Sequence, residues 1–73
     1  MKELLLLNGF RLKSRCSCSG TYAEKYIKQY PQGLVFIEIK PSRNVWNMRI
    51  DNVFTARGTT DNLEIKLKEY ELI

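Results

Sequence analysis

From Phe10 to Arg15 the chain alternates: Phe10 and Leu12 fall on one parity, Arg11, Lys13 and Arg15 on the other. A two-residue period predicts a strand with one apolar face and one cationic face. Just before it, residues 4–7 are an unbroken leucine run, and Asn8-Gly9 joins the two apolar stretches. Asn-Gly supplies the positive φ angles of a type I′ turn, so the reading is a tight hairpin, with the leucine run as a strand in mid-sheet or beneath a helix.

Residues 21–30 change the period. Thr21 and Glu24 have the spacing of a capping box, and Tyr22, Tyr26, Ile27 and Tyr30 recur at helical intervals, with Lys25, Lys28 and Gln29 on other faces. The spacing predicts a helix ended by Pro31 and Gly33. Residues 34–40 (LVFIEIK) then predict a strand, residues 41–44 (PSRN) a turn, and residues 45–50 (VWNMRI) the returning strand. There Val45, Asn47 and Arg49 alternate against Trp46, Met48 and Ile50. Residues 51–58 (DNVFTARG) continue or restart a strand. The last segment fits two periods. A helix groups Leu63, Leu67 and Tyr70 but strands Ile65 and Leu72; a strand sets Leu63, Ile65 and Leu67 against Glu64, Lys66 and Lys68, and is favoured.

The expectation is therefore one small α+β domain over residues 1–73, two strands, one helix and three or four strands, with a mostly antiparallel sheet that is open or curled toward a barrel. Eight aromatic residues in 73 argue for a folded chain, since each can bury a large area. No apolar run is long enough to cross a bilayer. MKELLLL has the lysine and leucines of a leader, but Glu3 interrupts it and no small-residue cleavage site follows, so a cytoplasmic protein is expected.

Charge and side-chain chemistry narrow the function classes. Residues 1–49 carry nine Lys and Arg against three Asp and Glu, whereas residues 50–73 carry three against five. There is no histidine, so the commonest general base is missing, and the four glycines stand singly rather than in a phosphate-cradling loop. No catalytic residues, cofactor or small-molecule substrate are expected. Cys16 and Cys18 are too few for a structural zinc site within one chain, and their spacing departs from the Cys-x-x-Cys redox pattern. The expectation is two reduced, partly buried thiols. NMRIDNVF and the following ARG resemble the signature strands of the Sm-type RNA-binding rings, but the two pieces lie much closer together than in that family, and no family is assigned.

Two function classes remain. The first is a non-catalytic nucleic-acid-binding module using Arg11, Lys13 and Arg15 together with Lys40, Arg43 and Arg49 around the 40–46 hairpin, with Trp46 and Tyr22 as aromatics that stack a base. Against this, Trp46 shares the parity of Met48 and Ile50, which predicts a core position with the cations merely solvating one sheet face. The second is a protein–protein or self-associating module, of the accessory type found in phages and mobile elements, pairing through the terminal segment as an edge strand.

Overall fold

The structure, a computed structural model, describes residues 2–17 and 20–73. Its elements run α1 (Lys2–Leu7), β1 (Arg11–Cys16), β2 (Ala23–Tyr30), β3 (Gly33–Lys40), β4 (Val45–Ile50), β5 (Val53–Thr59) and α2 (Leu63–Glu69). The strands pair in chain order, β1-β2-β3-β4-β5, every neighbour antiparallel. The sheet is open rather than closed into a barrel. The α+β class and antiparallel sheet agree with the pattern of the chain, and β3, β4 and β5 lie where it placed them. Neither helix is long and apolar enough to cross a membrane.

One face of the sheet is buried. Tyr26, Val35, Ile37, Ile39, Trp46 and Met48 project from the strands into a single cluster with Leu5, Phe10, Leu63, Leu67 and Leu72 from the terminal segments. Three local assignments differ from expectation, and each has a physical reason.

The first is Asn8-Gly9, which ends a helix rather than turning a hairpin. The Phe10 amide donates to Leu5 O (2.9 Å) and the Gly9 amide to Leu6 O (3.2 Å). This is a Schellman cap, with Gly9 as its left-handed residue at φ 89°. Leu5 and Phe10, the residues such a cap brings together, are both buried. Lys28 seals the same end, its Nζ donating to Asn8 O at 2.6 Å where the helix dipole favours a cation. The expected type I′ geometry occurs instead between β4 and β5, where Asp51 (φ 53°) and Asn52 (φ 67°) both take positive φ.

The second is residues 23–30, a strand and not a helix. Side chains four apart share a face in either conformation, so the spacing of Tyr22, Tyr26 and Tyr30 does not distinguish them. Pairing on both sides decides: Tyr26 lies between Leu12 and Ile37, and Ile27 between Arg11 and Phe36.

The third is the terminal segment, which is helical. Leu63 and Leu67 are buried one turn apart, and Ile65 points to solvent. Its end repeats the first cap: Leu72 N donates to Leu67 O (2.8 Å), Glu71 N to Lys68 O (3.0 Å), and Glu71 holds the left-handed position at φ 59°. Of the apolar positions expected to form an edge strand, Leu63 and Leu67 are thus spent on the core, and the sheet edges are β1 and β5.

The two caps predict opposite responses. Glu71→Gly removes the steric cost of a side chain at positive φ and raises stability by about 0.5–1 kcal/mol, whereas Gly9→Ala lowers it by about 1 kcal/mol or more, both read from urea midpoints at constant m.

Candidate functional site

Among the described residues, neither helix packs on the face opposite the core. Backbone register assigns its residues row by row. Arg11, Ile27, Phe36, Arg49 and Phe54 are successive cross-strand partners from β1 to β5. Ser14, Lys25, Glu38, Asn47 and Arg57 form the next row. Lys40, beside Val45, lies beyond them, and Lys13 reaches in from β1 with its ammonium 4.6 Å from the centre of the Phe36 ring. Six cations (Arg11, Lys13, Lys25, Lys40, Arg49 and Arg57) share this face with one strand carboxylate, Glu38.

Glu38 is itself divided. Asn47 Nδ2 donates to it at 3.1 Å, and Lys25 and Lys40 approach it at 4.0 Å. None of the ion pairs among the described residues involves Arg11, Lys13, Arg49 or Arg57. Two shallow depressions mark the surface. One of about 300 Å³ lies among Lys13, Lys25, Phe36, Asn47 and Arg49; another of about 510 Å³ lies among Cys16, Thr21, Lys40 and Arg43.

Two β-bulges decide which side chains arrive here. Between Leu12 and Ser14 the register of β1 slips around Lys13, so Arg15 pairs with Glu24 and shares the parity of Tyr26. The slip around Thr55 in β5 does the reverse: it sends Ala56 toward Met48 and places Phe54 beside Arg49. Phe54 is 57% exposed.

Of the residues singled out from sequence, Arg11, Lys13, Lys40 and Arg49 are therefore brought together, with Arg43 at the rim in the 3-10 turn Pro41–Arg43. Two are not. Arg15 turns to the covered side, where its Nε lies 3.8 Å from Glu24 Oε2. Trp46, at 1% exposure, belongs to the core: its Nε1 donates to Thr59 O (2.7 Å) and Asn62 Oδ1 (3.2 Å), tying the end of β5 to the start of α2. Gly58 makes room for this contact, since a β-carbon there would lie 2.6 Å from Asn62 Oδ1. The Trp46 parity with Met48 already pointed inward, and a buried indole N–H needs a partner.

Tyr22 is also engaged on the covered side, its hydroxyl donating to Glu24 Oε2 at 3.0 Å. Cys16 closes β1 and is disulfide-bonded, so the expectation of a reduced thiol fails there. Cys18 lies outside the described residues.

Sequence reading missed Lys25, Phe36, Phe54 and Arg57. Phe36 was recoverable, since it shares the parity of Glu38 and Lys40 against buried Val35, Ile37 and Ile39. Lys25 was lost with the helix assignment, and Phe54 depends on a bulge that leaves no mark in the chain.

Burial raises the phenol of Tyr26 above its ordinary 10.0, and the neighbouring Glu24 carboxylate adds to the effect; burial does the same to Tyr30. The unfolded chain therefore loses these protons first. The stabilisation is complete below pH 10.0 and is lost as pH climbs through the raised folded values, so urea midpoints are expected to fall across that alkaline range. Trp46→Phe, which removes the indole donor, is expected to lower stability by about 1–3 kcal/mol while leaving the cationic face intact.

No protein-family model, curated protein or solved structure matches this chain.

Proposed function

We propose that the protein is a non-catalytic nucleic-acid-binding module whose contact surface is the uncovered sheet face. The observation that carries the reading is the segregation of charge between the two sides of one sheet. Six cations face outward with Glu38 as the one strand carboxylate among them, whereas Glu24 lies on the covered side, Glu3 in α1, Asp51 in the β4–β5 turn where it accepts from Leu34 N (3.0 Å), and Asp61, Glu64, Glu69 and Glu71 at the α2 end of the molecule. Random solvating charge would mix the signs. A predominantly positive field over one sheet face attracts a polyanion, and side chains from five strands can engage several phosphates at once.

Binding is then expected to be electrostatic in its main term. Affinity for short oligonucleotides falls steeply between low and physiological salt, as counterions are released from the phosphates. Neutralising Lys25, Arg49 or Arg57 to Gln weakens binding and reduces the salt slope by about one each. Arg15→Gln, on the covered side, leaves the slope unchanged. Binding undetectable at low salt would overturn the reading.

A second reading, self-association, is favoured by one observation: edge strand β5 exposes two successive apolar residues, Val53 and Phe54, one on each face of the sheet. Both edges carry a bulge, but β1 is also guarded by Arg11, Lys13 and Arg15 where β5 has Arg57 alone, so β5 is the edge through which a second copy would pair. A sedimentation mass of two chains at tens of micromolar, reduced by Val53→Lys, would support it.

A further inference from the structure

We infer that the ligand of this face is single-stranded, held with its unpaired bases against Phe54 and Phe36. The inference rests on the nucleic-acid reading and specifies the kind of strand it takes.

Shape argues first. Adjacent strands lie about 4.8 Å apart, so the row from Arg11 on β1 to Phe54 on β5 spans about 19 Å. The major groove of a duplex is about 12 Å wide and admits a helix or a two-stranded ribbon, not a five-stranded sheet presented face-on. A duplex lying on this surface would offer only phosphates, its bases stacked away from the protein.

The composition of the row argues second. A purely phosphate-binding surface has no use for flat apolar rings, yet the outermost position holds an exposed Phe54 directly beside Arg49, with Phe36 on the other side of Arg49. The backbones of the two residues stand two strands apart, about 10 Å, with Arg49 on the strand between them. Aromatic rings and a guanidinium in one line form a stacking platform for successive bases, and Lys25, Arg57 and Asn47 in the next row lie where the backbone of such a strand would run. Phe54 offers an open ring. Phe36 is covered by the Lys13 ammonium, which would swing from ring to phosphate when a base takes its place. Unpaired bases on a phosphodiester backbone are common to RNA and DNA, and both serve as probes.

The test is an anisotropy titration of the full chain with labelled oligo(dT), oligo(rU) and a blunt duplex of equal phosphate number at one low salt concentration. The single strands are expected to bind more tightly than the duplex. Phe54→Leu keeps an apolar side chain but removes the flat ring, and is expected to weaken single-strand binding about fivefold or more, with duplex binding and salt slope unchanged. Phe54→Trp retains stacking, and its added indole emission is quenched by the single strands whereas that of buried Trp46 is not; this readout holds even if Phe54→Leu perturbs the edge strand. A preference for either sugar supports the inference and assigns the strand. Duplex binding as tight as single-strand binding, or Phe54→Leu without effect while Arg49→Gln weakens both ligands, overturns the inference and leaves the nucleic-acid reading standing. Absence of binding to all three probes overturns both.

Discussion

Covering one side of a five-stranded sheet with only two helices of six and seven residues is the constraint from which the rest of this structure follows. Helices so short do not hold themselves together in water; they exist because their leucines find the sheet. Each is fastened by the same device, a left-handed residue that folds the chain back and places the following apolar residue beside one in the preceding turn: Phe10 against Leu5, Leu72 against Leu67. With both helices on one side, the other has nothing left to cover it. The bare face must then be wetted by its own side chains, and the charge among them is cationic apart from Glu38.

The same economy explains why Trp46 is indispensable to the architecture. Its ring fills the middle of the core, and its N–H reaches the loop that starts α2. Tyr30 performs the matching role at the other end of the helix, its hydroxyl donating to Leu72 O at 2.7 Å. Two polar tips on two large apolar bodies thus fix the position of α2 without placing an unpaired polar atom in the core, and among the described residues no buried side-chain nitrogen or oxygen lacks a partner.

How much of this was legible in the chain depended on whether a pattern had one geometric meaning or two. Strands β3 and β4 alternate over enough residues to exclude a helix, and the inward parity of Trp46 was there to be read. Tyr22, Tyr26 and Tyr30, four apart, satisfy both periods, and so do Leu63 and Leu67; only the neighbours that pair with or cover them settle the matter. Asn8-Gly9 announced positive φ correctly, but a left-handed glycine closes a helix as readily as it turns a hairpin. For the candidate face, Arg11, Lys13, Lys40 and Arg49 were visible as a cationic set. The exchange of Arg15 and Trp46 for Lys25, Phe36, Phe54 and Arg57 turned on strand pairing and on two bulges, which are properties of the sheet and not of any one segment.

The strictly sequential strand order has a kinetic meaning. Every strand pairs with its immediate predecessor, so sheet growth closes only short loops and never waits for a distant partner. The contacts of longest range are those of the terminal segments, such as the bond from Tyr30 to Leu72, 42 residues apart, and the joining of Leu5 with Leu63 and Leu67 in one core. A central β2-β3-β4 meander that zips early, with α1 and α2 docking late, makes the helices the first elements to peel away in native fluctuations. Slow amide exchange then belongs to the middle strands, and Lys25, Lys40 and Arg49, the part of the cationic face carried by those strands, outlast the loss of either helix.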